Sequence, residues 1–303
     1  MHMNILVTGG SGFLGKHLCR VLVSAGHSVL NIDKKPFSEV ETIQTDVLDQ
    51  AKIEQYFAGK DAVFHLASYI EAGESVEQPE KYLQNNVMGT LSVLEAMRKH
   101  DVKRFLFSSS AAIYGNPLHT PIKEDERTIP INPYGVTKMA MEGLVSSYVE
   151  SYGFTGVALR YFNLYGPGED HVPETHAIPR FIQQINKGED VTIWGDGSHK
   201  RDFVYIDDIV RAHLLALELP QSYHYMNLSG KNATSVIGVI HMLEKILGKQ
   251  ANVKHFEFRP GDPLELFADA SKAKEVLKWE PQIGLEEGLQ KTVEWFRSQT
   301  HTA

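Results

Sequence analysis

The chain has 303 residues, enough for about two domains or for one domain with a substantial appendage. Its hydrophobic content of 42% and charged content of 22% are those of an ordinary soluble globular protein. A net charge of −8 argues against nucleic acid or an anionic membrane as the main partner, because both need a basic surface; basic groups that matter must be local.

A single cysteine, Cys19, excludes an internal disulfide and a thiolate metal cluster. It falls in the first predicted helix and reads as a buried, inert thiol. The 14 histidines form no HExxH or similar spacing, so no metal site is expected. The chain enters its first strand by Asn4 without an apolar leader, and no apolar run approaches the ~18 residues of a membrane span. The expected compartment is the cytoplasm.

The first element is the apolar run Ile5-Leu6-Val7, followed by Thr8-Gly9-Gly10-Ser11-Gly12-Phe13-Leu14-Gly15 and then by an apolar-periodic segment, Leu14, Leu18, Val21 and Leu22. This is strand, glycine turn, helix. The glycines fit the dinucleotide template as Gly10-x-Gly12-x-x-Gly15 and as Gly9-x-x-Gly12-x-x-Gly15. Glycine lets the chain turn tightly, lets a pyrophosphate approach the backbone, and seats the helix close to the sheet. The helix N-terminus then offers unpaired N–H groups to the phosphates. The next strand, His27–Ile32, closes on Asp33, whose carboxylate can accept from a ribose 2′-hydroxyl. Asp33 would repel a 2′-phosphate, which favours NAD over NADP, although Lys34 and Lys35 adjoin it.

Strands and helices keep alternating. Thr42–Thr45 ends at Asp46, a short helix covers Ala51–Phe57, and Asp61–Ala67 is the next strand. Pro79 opens a long helix whose apolar stripe is expected at Leu83, Val87, Leu91, Leu94 and Met97. Lys103–Phe107 is a strand running into Ser108-Ser109-Ser110. Asn132 caps a helix with Pro133 at its first position, and Val157–Phe162 follows it as a strand. The pattern predicts an α/β fold with a doubly wound parallel sheet covered on both faces. From Asn163 the texture changes to a loop through His176 and then to irregularly alternating short elements. They are Ile178–Asn186, Val191–Trp194, Asp207–Leu217, Tyr223–Leu228, Ser235–Leu247 and Val253–Phe258. A last amphipathic helix carries Leu285, Leu289, Val293 and Phe296. Residues 1–162 therefore read mainly as a cofactor domain. Residues 163–303 read mainly as a smaller, discontinuous substrate lobe, with segments returning to the first domain.

Tyr134-x-x-x-Lys138 places two side chains one turn apart on a helix face. A tyrosine acts as a base near neutrality only if its pKa falls from about 10 towards 7, a change of roughly 4 kcal/mol. A cation about 4 Å away supplies about that much at an effective dielectric near 20. Lys138, together with an oxidised nicotinamide ring, would be enough. Ser110, ending a buried strand, could pass a proton between substrate and Tyr134.

These motifs together resemble an extended short-chain dehydrogenase/reductase, and within it the nucleotide-sugar epimerases of the UDP-galactose 4-epimerase type. The resemblance spans nearly the whole length. It rests on Thr8–Gly15, Asp33, Asp46-Val47, His65-Leu66-Ala67, Gly73–Val76, Asn85–Thr90, Ser108–Ser110, Tyr114-Gly115 and Tyr134–Lys138. The second half adds Leu159–Asn163, Arg201–Val204, Arg259–Asp262 and Ala268-Asp269. It implies a Rossmann sheet, NAD, and cofactor contacts from Gly9, Gly12, Phe13, Leu14, Asp33, Asp46, Val47, Leu66, Ala67, Asn86 and Lys138. It implies that Ser110 and Tyr134 act on the sugar 4-hydroxyl. Asn163, Arg201 and Arg259 would hold the nucleotide diphosphate, as the forked guanidinium suits phosphate oxygens, with Trp194 near the base. Related proteins pair their two long helices, here Pro79–His100 and Pro133–Tyr152, into a homodimer.

The sequence also departs from relatives. Sugar 4,6-dehydratases carry an acid/base Asp-Glu pair where this chain has Ala111-Ala112. Leu266 stands where some epimerases place a tyrosine that excludes bulky 2-substituents, and Ile70 replaces a lysine found near the phosphates. The expected activity is NAD-dependent C4 epimerisation of a nucleotide-diphosphate sugar, a UDP-hexose first. The alternatives are another sugar-nucleotide enzyme (dehydratase, decarboxylase or ketone reductase) and a silent NAD-binding sensor. Glu71 and Glu74, on a different loop from Ala111-Ala112, read as solvated or structural.

Overall fold

In a computed structural model, residues 2–169, 176–258 and 264–300 are described. The strands are β1 Asn4–Thr8, β2 Ser28–Asp33, β3 Glu41–Gln44, β4 Ala62–His65, β5 Arg104–Ser110, β6 Thr155–Tyr161 and β7 Asn163–Tyr165. They continue as β8 Asp190–Trp194, β9 Lys200–Tyr205, β10 Tyr223–Leu228, β11 Ala233–Ser235, β12 Asn252–Phe256 and β13 Glu265–Leu266. Seven of them form one parallel sheet in the order β3-β2-β1-β4-β5-β6-β10. The winding reverses between β1 and β4. In doubly wound sheets, ligands bind at the carboxyl ends beside such a switch point.

Strand alternation sends Ile5 and Val7 into one core and Leu6 into the other. The first core is roofed by the helices Phe13–Ser24 and Ile206–Ala216, which contribute Leu18, Leu22, Ile209 and Val210. The second is roofed by Gly89–Lys99 and Pro133–Tyr152, with Leu94, Met97, Met141 and Val145. Tyr223–Leu228 is thus the seventh strand of the main sheet, a C-terminal segment returning to it. A four-stranded sheet joins β11, β9 and β13 with β7, and β12 pairs with β8. Among the described residues no helix is long and apolar enough to cross a membrane. Cys19 is fully buried, and burial pushes its thiol up to about 12, as expected of an inert side chain.

The helix opened by Pro79 corrects one expectation. It is not one regular α-helix, for Leu83–Met88 forms a wide π-helical turn between Pro79–Tyr82 and Gly89–Lys99. The extra residue per turn rotates the faces, so Leu83 is 44% exposed while Asn85 and Asn86 point inward. Leu94 and Met97 are buried as expected. The stretch after Asn163 also differs, because β7 joins the smaller sheet beside β9 and continues less far as loop.

Gly15 shows how tightly the first helix must sit. A Cβ there would lie 2.3 Å from the Gly9 carbonyl oxygen and 2.5 Å from Gly10 Cα. These are backbone atoms of the turn itself and cannot swing aside. Gly15→Ala is expected to destabilise the protein by about 1–3 kcal/mol, the usual cost of overpacking, and to weaken NAD binding. Urea unfolding with an NAD titration checks both, and wild-type values in both would refute the close-packing account.

Candidate active site

The cofactor side is built around the glycine turn. Gly9 has φ +76°, and a Cβ on it would strike Ala67 N at 2.5 Å, so the turn and the Leu66-Ala67 segment touch backbone to backbone. Leu66 N also donates to Thr8 O at 2.9 Å. The helix starts at Gly12 with no side-chain cap, and Phe13 and Leu14 form its first turn. Its leading N–H groups face the switch point, as a phosphate requires. Asp33 accepts from Ser11 N at 3.0 Å and from Lys35 N at 2.9 Å, which fixes the carboxylate at the end of β2. An uncapped helix start, a turn that tolerates no side chains towards the protein, and a fixed carboxylate fit a dinucleotide.

Lys34 does not stand free beside Asp33. Its ammonium pairs with Asp46 at 2.8 Å and lies 5.4 Å over the Tyr69 ring. Val47, buried, packs where a Cβ on Gly89 would meet its Cγ2 at 2.9 Å. Asn86 is fully buried. Its Oδ1 accepts from Tyr69 N at 2.8 Å, and its Nδ2 donates to Tyr69 O and to Thr137 Oγ1, each at 3.0 Å. The amide therefore clamps the Tyr69 loop to the helix that carries Lys138.

A second buried chain underlies the same loop. Thr90 Oγ1 donates to Asn86 O at 2.6 Å, so it accepts from His65 Nε2 at 3.0 Å, and His65 Nδ1 accepts from Thr8 Oγ1 at 2.7 Å. Burial, with a smaller push from Lys138, holds His65 down at about 3 and hence neutral.

The catalytic candidates meet at the carboxyl end of β5. Asn132 caps the helix Pro133–Tyr152, accepting from Gly135 N at 2.8 Å. Gly135 permits the approach: a Cβ there would sit 2.5 Å from Ala112 O. Tyr134 N donates to Ser75 Oγ at 3.1 Å, pinning the first turn from the other side. Ser110 Oγ accepts from Ala112 N at 3.1 Å. Lys138 is 1% exposed, its Nζ donating to Ser108 O at 2.8 Å and lying 5.8 Å from the Tyr134 ring centre.

The electrostatics of the free protein differ from the sequence expectation. The Tyr134 side chain is half-buried, yet enough protein packs round it for burial to push the phenol up to about 12; Ser110 pulls down and Glu71 pushes up. Lys138 is not among the groups that shift it. Burial brings Lys138 down to about 7, with Glu142 acting the other way. Tyr134 is thus neutral and Lys138 about half charged at neutrality, because each has lost water and Glu142 offsets only part of that loss for Lys138. Lowering the tyrosine is left to what binds beside it.

The substrate candidates are dispersed over the smaller sheets. Asn163 Nδ2 donates to Asp202 O at 2.8 Å, and Arg201 is flanked in register by Thr234 and Leu266. Trp194 lies on the separate β8–β12 pair, with the Arg180 guanidinium 5.2 Å over its ring. Arg259 lies outside the described residues. A cleft of about 860 Å3 lined by Ser229, Gly230, Ala268 and Asp269 abuts Asp202 and contains none of the sequence candidates.

Sequence reasoning overlooked several residues. Glu71, read as solvated or structural, is close enough to act on Tyr134; Glu74 is structural, bonded by Lys81 and by Tyr82 at 2.9 Å. His65 and Arg160 stood inside quoted motifs without a role. Glu142 had a usable signal: Tyr134, Lys138 and Glu142 recur every four residues. Arg180 had none.

The depressed Lys138 makes a stability prediction. Its folded pKa lies below its unfolded value near 10.4, so between about 7 and 10 the unfolded chain binds more protons and stability rises with pH. Relative to Lys138→Met, the wild type should gain at most about 1.4 kcal/mol per pH unit across that window. Urea unfolding of both proteins at pH 7 and 9.5 measures it, and a difference independent of pH would refute it.

Known proteins are similar to this chain over its full length. The chain is 38% identical to the UDP-glucose 4-epimerase of Halalkalibacterium halodurans, over 99% of this chain and 97% of that protein. It is 36% identical to the UDP-glucuronate 4-epimerase of Thermodesulfobacterium geofontis, over 96% and 95% of the two chains. The crystal structure of the Thermotoga maritima UDP-glucose 4-epimerase with UDP-glucose superposes with a TM-score of 0.94 at 37% identity, covering 98% of this chain and all of that one. Residues 5–229 match the model of the NAD dependent epimerase/dehydratase family. On sequence and fold, the chain belongs to that family.

Proposed function

We propose that this protein is an NAD-dependent epimerase acting at C4 of a UDP-sugar through a transient 4-keto sugar. The observation that carries the reading is the convergence of Ser110, Tyr134 and Lys138 at the end of β5, on the same carboxyl edge of the sheet as the glycine turn and without an acid at positions 111 and 112. NAD, when bound, supplies the hydride acceptor and donor. Tyr134 takes the 4-hydroxyl proton, relayed by Ser110, and returns it in the reverse half-reaction. Lys138, held beside the phenol, adds its positive charge there once the cofactor is in place. Gly9, Gly12, Phe13, Leu14, Asp33, Asp46, Val47, Leu66 and Ala67 form the cofactor surface, and Asn86 supports it through the Tyr69 loop. Asn163, Arg201 and Arg259 hold the diphosphate, with Trp194 beside the base. Residues 1–162 serve mainly the cofactor and 163–303 mainly the substrate.

The protein acts in the cytoplasm as a homodimer. Leu83, Met88, Val136 and Met139 are each more than a third exposed on two neighbouring helices, an apolar face suited to a second copy. Light scattering at micromolar concentration should report twice the chain mass.

One rival reading has a specific observation behind it. A dehydratase needs a base for the C5 proton and an acid for the 6-hydroxyl, and Glu71 is a carboxylate that acts on Tyr134. A single carboxylate does not supply both roles, and Ala111 and Ala112 supply neither. Incubation with UDP-glucose, UDP-N-acetylglucosamine and UDP-glucuronate, followed by proton NMR, separates the readings. The epimerase gives a C4 epimer with no net redox change, whereas a new methyl signal would identify a 6-deoxy-4-keto product. Tyr134→Phe should leave NAD and UDP-sugar binding nearly intact and cut turnover by roughly 10²–10⁴-fold. Near-normal turnover would remove Tyr134 from the mechanism.

A further inference from the structure

Tyr134, Lys138 and Glu142 stand on one face of the helix Pro133–Tyr152, and that face meets three consecutive serines of β5. The Ser110 hydroxyl acts on Tyr134, the Ser108 carbonyl accepts from Lys138 Nζ at 2.8 Å, and the Ser109 hydroxyl donates to Glu142 Oε1 at 2.5 Å. Ser109 faces Arg160 across the β5–β6 register. Arg160 grips the same carboxylate from Nε at 2.9 Å and Nη2 at 2.7 Å, and Tyr223 Oη donates to it at 3.3 Å. We propose that Glu142, fixed by Ser109 and Arg160, is a positioning residue for the reaction, whose buried carboxylate keeps the Lys138 ammonium charged and aligned on the face that carries Tyr134.

A buried ion pair is a weak source of stability, since well-packed neutral side chains of similar volume often serve as well. Glu142 and Arg160 are 8% and 5% exposed, so theirs is such a pair and stability alone does not account for it. Their effect is local to Lys138, one turn away. Among the described residues, Glu142 is the carboxylate whose charge supports that ammonium.

The other groups nearby do not take its place. From β4, His65 is neutral and adds no charge. From β6, Arg160 would oppose Lys138, but its guanidinium is spent on Glu142 and on Tyr114 Oη at 2.8 Å. On the β10 side, Lys272 lies 3.6 Å over the Tyr225 ring and answers to Glu124 and Glu142. Glu124 accepts from Asn227 N at 2.7 Å.

This inference rests on the reading of Tyr134 and Lys138 as the reacting pair only in its kinetic arm. Glu142→Gln removes the charge and keeps the shape. The basic limb of the pH profile for kcat should then move to lower pH by about one unit, because an unsupported ammonium loses its proton sooner. Glu142→Asp, which keeps the charge, should return the limb towards its original position. The second arm needs no turnover. The pH at which Lys138 begins to stabilise the fold, measured by urea unfolding against the same protein carrying Lys138→Met, should move down by a similar amount. If Glu142→Gln does not fold, the double variant Glu142→Gln/Arg160→Met is compared with Arg160→Met, from which it differs only in the carboxylate, and is read in the same way. A folded variant lacking the carboxylate, with its stability profile unshifted, would overturn the proposal. Shifted stability without epimerase activity would uphold it and sink the proposed function instead.

Discussion

A lysine ammonium with 1% of its surface exposed is the constraint around which this site is arranged. Burial takes Lys138 down to about 7 even with Glu142 acting the other way, so its charge is half lost at neutrality. The protein answers with one short bond, from Nζ to the Ser108 carbonyl, and with one carboxylate a turn further along the helix. Everything else about the position follows from the helix being held still. Asn132 fixes its start, Gly135 lets it touch the turn at Ala112, and Asn86 ties Thr137 to the Tyr69 loop.

The polar groups along the carboxyl edge of the sheet work in the same way. His65 bridges Thr8 at the end of β1 to Thr90 on the opposite roof, and its neutrality means the bridge survives across the physiological pH range. Asp202 does comparable work on the substrate side. It is 2% exposed, accepts from Gly230 N and from Ala268 N at 3.2 Å, and so ties β9 to two later segments; burial still pushes its carboxyl up to about 7. Buried polar groups with partners on separate segments fix geometry more than they add stability.

What the sequence disclosed divides along physical lines. The glycine turn, the Asn132 cap and the first six strands of the main sheet were legible, because each depends on local residue chemistry or on continuous apolar runs; Tyr223–Leu228 was read as a short element of the second half, and its place in that sheet was not. The phase of the Pro79 helix was not. A π turn costs one residue of register and leaves no mark in a periodicity written for 3.6 residues, which is why Leu83 was misread as core. β7, β11 and β13 were missed because strands of two or three residues carry too little pattern, and six-residue β9, whose charged start Lys200-Arg201-Asp202 breaks the apolar run, was missed with them. Within the site, Tyr134 and Lys138 were identified by spacing, whereas their shifted ionisation depends on burial that no spacing reveals. Glu142 needed its long-range partners, Ser109 and Arg160, before its four-residue spacing meant anything.

Epimerisation asks something unusual of a pocket. The sugar must be held while its C4 face is presented, then released enough to turn, all without leaving the enzyme. Strong directional bonds to the ring would oppose that turn, since each would have to break. Beyond Ser110 the chain continues into an apolar cluster of Ala111, Ile113, Tyr114, Ile122 and Phe162, with Leu266 and Ala268 packed against it. Ala111, Ile113, Tyr114 and Ile122 are buried, so the cluster backs the end of β5 from within the protein, while part-buried Leu266 stands opposite Arg201 in register and sets an apolar side chain beside that candidate cation. Ala111 and Ala112 bring no polar side chain that a turning sugar would have to release.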